Sequence, residues 1–173
     1  MARISYADPA ATPQIAELAE QIKRERGGKL LNLYRMLLHS PPLARGWLGL
    51  FTAIRQQADL PGREREVATL RVAVLNGADY EFAQHIPFAQ KHGLSPAQIE
   101  AIKTDPESDV LTERDRTVLA YTDAMTRNIR VPVDVFERVR AQFPPRELVE
   151  LTATIAGYNL VSRFLEALDI DHE

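Results

Sequence analysis

The 173-residue chain carries a net charge of −3, 45% hydrophobic residues and no cysteine. It therefore reads as globular, and disulfides, thiolate metal sites and thiol redox chemistry are excluded. Without clustered Lys and Arg it offers no general nucleic-acid surface, and no run approaches the roughly 18 apolar residues of a membrane span. A single cytoplasmic domain over residues 1–173 is the expectation, since the first nine residues lack the apolar centre of a signal peptide.

Taken in order, the chain is expected to open with a flexible arm to about Ala11. Thr12-Pro13 then supplies a capping hydroxyl and a residue suited to the first helical position. Ile15, Leu18, Ala19 and Ile22 follow at helical spacing, and Arg26-Gly27-Gly28-Lys29 ends the helix. A short helix over 30–39 is cut by Ser40-Pro41-Pro42. A third runs from Pro42 or Leu43 to Ala58, with Leu43, Trp47, Leu50 and Ile54 as its apolar stripe. Trp47 reads as a core anchor or as the wall of an aromatic pocket. These helices form an N-terminal extension over residues 1–60, closed by the turn Asp59-Leu60-Pro61-Gly62.

The next helix spans 63–76, with Val67, Leu70 and Val74 on one face. Glu66 borders that stripe, while Arg63, Glu64 and Arg65 are expected in solvent. Gly77 suits a left-handed C-terminal cap and Asp79 the following N-cap. A helix over 80–91 contains Pro87, which removes a backbone hydrogen bond and is expected to kink it. His92-Gly93 closes that helix, and Ser95-Pro96 opens another reaching Lys103. Residues 104–109 make an acidic surface loop. Thr112-Glu113-Arg114-Asp115 then starts a helix to Asn128, with its acids at the positive end of the dipole. A helix over 132–143 stops at Pro144-Pro145. The last carries Leu148, Leu151, Ile155, Leu160, Phe164 and Leu168. No stretch alternates like a strand, so the fold class is all-α with about eight or nine helices.

Two residue types stand out for chemistry. Glu66 and His85 lie on consecutive helices that fold back at Asn76-Gly77, so an acid and an imidazole can face one small space. Each also has a structural reading: an exposed first-turn acid, and a histidine satisfied by its neighbours. Arg71 and Arg163 are candidates to bind a substrate carboxylate bidentately, with a helix–helix or subunit salt bridge as the alternative. Tyr80 and Glu81 are further candidates, either of which could orient the imidazole, Glu81 lying one turn before His85 and on the same face. No His-x-x-x-His or His-Glu-x-x-His pattern provides a metal site, and no glycine-rich phosphate loop is present.

The stretch from Gly62 to Lys103 resembles the carboxymuconolactone decarboxylase superfamily, which includes the alkylhydroperoxidase D-like proteins. The residues that carry the likeness are Arg65-Glu66, Leu70-Arg71-Val72-Ala73, Leu75-Asn76-Gly77, Asp79-Tyr80-Glu81, His85-Ile86-Pro87 and Gly93-Leu94-Ser95. Tyr158-Asn159 and Ser162-Arg163-Phe164-Leu165 are secondary matches. The peroxidase branch uses a glutamate, a Cys-x-x-Cys pair and a histidine. Here Glu66 and His85 fit the glutamate and the histidine, but Ala78 and Glu81 replace the cysteines, as in the decarboxylase branch.

That resemblance implies an alkylhydroperoxidase D-like helical bundle and a homo-oligomer, trimer or hexamer. It also implies a lyase without cofactor or metal, acting on a small carboxylated lactone or related acid. Glu66 and His85 would be catalytic; Arg71, Tyr80, Glu81 and Arg163 would bind substrate. Two other readings stand beside it: a peroxidase-family protein that has lost its thiols, and a non-catalytic small-molecule-binding oligomer.

Overall fold

A computed structural model describes all residues, 1–173, and every regular element in it is helical. In chain order these are α1 (Pro13–Glu25), α2 (Asn32–Leu37), α3 (Pro41–Thr52), a π-helical stretch (Ala53–Gln57), α4 (Gly62–Asn76) and α5 (Asp79–Lys91). They are followed by α6 (Pro96–Thr104), α7 (Glu113–Asn128), α8 (Val133–Gln142) and α9 (Pro145–Leu168). The expected all-α class and helix number hold. No helix is long and apolar enough to cross a membrane.

The chain divides into two compact units: Met1–Gln57 with Phe164–Glu173, and Ala58–Arg163. In the first, the Thr12 hydroxyl caps α1 by accepting from the Ile15 amide, as the sequence implies. Arg26 ties α1 to its neighbours, donating to the Tyr34 hydroxyl at 2.9 Å, Thr52 Oγ1 at 3.1 Å and the Leu48 carbonyl at 3.3 Å. The N-terminal arm is pinned by Tyr6, whose hydroxyl donates to Asp171 Oδ2.

The expected stripe of α3 needs correction. Leu43 and Leu50 are exposed, and the buried face is Ala44, Trp47, Leu48 and Phe51. Each of these lies one position from the expected stripe or continues it at i+3 and i+4, so two neighbouring stripes compete in an apolar helix. Trp47 is a core residue, with its ring 5.3 Å from Phe51 and 5.2 Å from Phe164. The π-helical turns at 53–57 end this helix before Ala58.

In the second unit α4 is the central element, packed by α5, α6 and α7. Its residues from Glu66 to Ala73 are all buried, so it has no solvent face to mark with polar residues. The expectation that Arg63, Glu64 and Arg65 are solvated is overturned. Arg63 makes a two-pronged pair with Asp115 at 2.7 and 3.0 Å, and Glu64 is 6% exposed and accepts from Arg114. Gly77 caps α4 at φ +66, where a side chain is strained. Ala78, not Asp79, stands at the N-cap of α5. Asp79 is the first helical residue, where its charge still suits the dipole. Ser95 with Gln98 and Thr112 with Asp115 form capping boxes on α6 and α7.

Candidate functional site

Helix α4 presents Glu66 and α5 presents His85, and the turn at Gly77 brings them together. His85 Nδ1 lies 2.7 Å from Glu66 Oε2, with both residues buried. Because the carboxylate is an acceptor, Nδ1 carries the hydrogen, which leaves Nε2 for a reacting partner. The second carboxylate oxygen, Oε1, accepts from Arg65 Nε at 3.1 Å. Burial, the largest single influence, pushes the Glu66 carboxyl up. The hydrogen bond and charge of His85, together with Arg65, outweigh it and hold the group below the usual glutamate range. Glu66 is thus an ionised carboxylate held between a guanidinium and an imidazole.

Arg65 extends the array. Its Nη2 lies 3.1 Å from Nε2 of His92, so this ring nitrogen accepts and its Nδ1 bears the hydrogen. The His92 ring rests on Gly62, where an added Cβ would stand 2.2 Å from His92 Nδ1. Sequence reasoning assigned Arg65 to solvent and His92 to a helix end. The one local signal was Gly62, the only residue that leaves room for that ring.

On its other side the His85 ring meets α9. Tyr158 stands edge-on to it with centroids 5.0 Å apart, and Phe88 is tilted against it at 5.8 Å. Glu81, one turn before His85, is 3% exposed. Its Oε2 lies 2.5 Å from Oγ of Ser162, itself one turn beyond Tyr158. Two residues of α5 therefore face two of α9. The i, i+4 spacing of Tyr158 and Ser162 is readable in the sequence, but it does not say which helix they meet.

The remaining candidates take other partners. Arg71 is buried and holds Asp123 of α7 through Nε at 2.6 Å and Nη2 at 2.8 Å. Its Nη1 donates to the Ile102 carbonyl at 2.8 Å. This is the helix–helix salt bridge weighed as the alternative, and it leaves Arg71 engaged away from His85. Arg163 donates to the carbonyl and side chain of Asn159 on its own helix, at 3.1 and 2.7 Å. Tyr80 is buried on the first turn of α5. No group of three or more His, Asp or Glu side chains is disposed to hold a metal ion.

Comparison with known proteins agrees with this fold. Residues 41–124 match the carboxymuconolactone decarboxylase family. A protein of unknown function from Agrobacterium tumefaciens, regarded as a candidate antioxidant defence protein AhpD, is 28% identical. Its crystal structure aligns over 78% of this chain and 93% of its own with a TM-score of 0.73. An uncharacterized peroxidase-related protein from Silicibacter sp. TM1040 shares the fold at a TM-score of 0.84 and 18% identity, over 99% of this chain and 92% of its own. The debrominase Bmp8, in complex with 2,3,4-tribromopyrrole, shares it at a TM-score of 0.82 and 19% identity, over 100% and 94%.

Proposed function

The chain belongs to the carboxymuconolactone decarboxylase and AhpD-like superfamily, and from that premise we propose that it is a carbon–carbon lyase acting on a small carboxylated lactone or related acid. The observation that carries the proposal is the 2.7 Å bond from His85 Nδ1 to the ionised Glu66, which leaves Nε2 to handle a proton. Without cysteine, the chain has no thiolate nucleophile and no resolving thiol for the peroxidase cycle of its relatives.

The chemistry asks little beyond that pair. In a lactone acid whose carboxylate stands on the γ carbon of an α,β-unsaturated carbonyl, a vinylogous β-keto acid, the electrons of the breaking carbon–carbon bond pass into a dienolate while carbon dioxide departs. The dienolate carbon then takes a proton delivered through Nε2 of His85. Water restores that proton, so one carboxylate and one proton become one carbon dioxide and the decarboxylated lactone. Glu66 fixes the ring and its tautomer, and His85 together with Arg65 keeps Glu66 ionised. Phe88 and Tyr158 flank the ring with apolar surface suited to a small conjugated substrate.

Further copies of the chain, as a trimer or hexamer, belong to the same proposal. Exposed Val149 and Leu160 on α9 support it as apolar surface for a neighbour.

Purified protein is tested for turnover of 4-carboxymuconolactone by ultraviolet absorbance and carbon dioxide release. Wild type turns over, and His85→Ala and Glu66→Gln each lose about 10²–10⁴-fold, the usual contribution of general acid–base catalysis. A folded wild type without turnover overturns the lyase reading.

A further inference from the structure

Three arginines of α4 meet carboxylates, and one of them does so differently. Arg63 gives Nε and Nη2 to the two oxygens of Asp115, and Arg71 gives the same two nitrogens to the two oxygens of Asp123. This is the two-pronged pose that arginine and carboxylate favour. Arg65 divides the same edge. Its Nε donates to Glu66 Oε1 at 3.1 Å, while its Nη2 donates to His92 Nε2 at 3.1 Å. The guanidinium engages elsewhere too, but this is the edge that meets Glu66. The oxygen that Nη2 leaves aside, Oε2, is the one bonded to His85 Nδ1 at 2.7 Å.

The place of His92 is set by two residues of α4. Gly62 makes room for the ring, since a Cβ there would stand 2.2 Å from Nδ1. Arg63 fixes the corner at which α5 ends, its Nη1 donating to the Gly93 carbonyl at 2.9 Å while Asp115 holds its other edge. Arg65 and Glu66 are consecutive, and successive residues of a helix point about 100° apart without facing each other. The guanidinium therefore reaches Glu66 sideways, in a pose that a second acceptor can direct.

We propose that His92 is a positioning residue for the Glu66–His85 pair: by accepting from Arg65 Nη2 it keeps the guanidinium off the second carboxylate oxygen and reserves Oε2 for His85. Without that acceptor Arg65 closes on both oxygens of Glu66. His85 then loses the bond that keeps the hydrogen on Nδ1 and presents Nε2 bare. The role rests on reading Glu66 and His85 as the working pair, and it is tested on the ring itself rather than on turnover.

The experiment is nitrogen NMR of the histidine rings at about pH 8, above the ordinary histidine value near 6.5, where neutral rings reveal their tautomers. The spectrum of His85→Gln identifies the His85 signals. In wild type His85 carries its hydrogen on Nδ1. His92→Leu removes the acceptor, and the two His85 nitrogens shift toward each other as the ring exchanges between tautomers. His92→Gln offers an amide oxygen to Nη2 and keeps the wild-type positions. Arg65→Met added to His92→Leu removes the competitor for Oε2, and the His85 signals return. Signals unmoved by His92→Leu, moved alike by Leu and Gln, or not restored by Arg65→Met overturn the proposal.

Wild type alone supplies a check that needs no variant to fold. Arginine only donates, so His92 must carry its hydrogen on Nδ1 and leave Nε2 bare. A His92 protonated on Nε2 removes the bond and the proposal with it. Where turnover is present, kcat falls in His92→Leu by up to about 10²-fold and recovers in His92→Gln. Its absence from wild type sinks the lyase reading alone, because the ring spectra decide the role of His92.

Discussion

Nδ1 of His85 on α5 is bonded to Oε2 of Glu66 on α4 at 2.7 Å, and the other oxygen of the same carboxylate is held by Arg65. The pair is buried, so its charges are matched within the fold rather than by water. Glu66→Gln keeps the shape and removes the charge, and we expect it to cost about 3 kcal/mol near neutral pH.

The pH dependence of that cost follows from the direction of the Glu66 shift. Its folded pKa lies below the unfolded one, so the stabilisation is present above the unfolded value and lost as pH falls through the folded value. The gap between wild type and Glu66→Gln should be widest near neutrality and close in acid, read by urea unfolding across a pH series.

Gly62 is the second place where one atom decides. An added Cβ would meet His92 Nδ1 at 2.2 Å and Cε1 at 2.3 Å, too close for the ring to remain. Gly62→Ala should cost about 1–3 kcal/mol and release Arg65 from His92. Added to His92→Ala, the same change should be close to neutral, since helical Ala is otherwise preferred to Gly. Thermal unfolding of the four proteins completes the cycle, and additive costs would show that the ring is not the obstacle.

Local chemistry was legible where local geometry sets it. The Gly77 cap, the Thr12 and Thr112 starts and the fold-back that pairs Glu66 with His85 all follow from residues close in sequence. What failed was the choice of distant partners. Arg65 finds His92 across 27 positions and Glu81 finds Ser162 across 81, and nothing in either segment announces the other. Arg63-Glu64-Arg65-Glu66 looks like a solvated charge run. Helix α4 is covered by α5, α6 and α7, however, and its charges turn to Asp115, Arg114, His92 and His85 in turn. A helix buried on all sides gives no periodicity from which to read an exposed face.

Arg71 and Asp123 should respond unequally to the loss of the other. The Arg71 side chain is 6% exposed and the Asp123 side chain 28%, and Asp123 also has Arg127 within 3.7 Å. Asp123→Ala strands a buried cation and should cost about 4 kcal/mol. Arg71→Met leaves a carboxylate that still reaches water and Arg127, and should cost about 3 kcal/mol or less. Urea unfolding of both variants ranks them; the reverse order would place the better-hydrated charge at Arg71.

The last prediction concerns the link between α7 and α8. Ile129 adopts φ +64 and ψ −51, and the Arg130 amide donates to the Asn128 carbonyl at 2.6 Å across it. This is the γ-turn of the rarer, strained hand. A β-branched residue is the worst choice there, because its Cβ crowds the backbone at positive φ. Ile129 is 87% exposed, so its side chain returns little burial to offset strain of about 1–3 kcal/mol. Glycine removes the crowding, at the cost of extra freedom in the unfolded chain of up to about 1 kcal/mol. Ile129→Gly should therefore stabilise by about 1 kcal/mol, a rise of roughly 2–4 °C in melting temperature for a chain of this size. A fall instead would mean that Ile129 is covered in solution, which a protomer-concentration series of melting temperatures would reveal as a second copy of the chain.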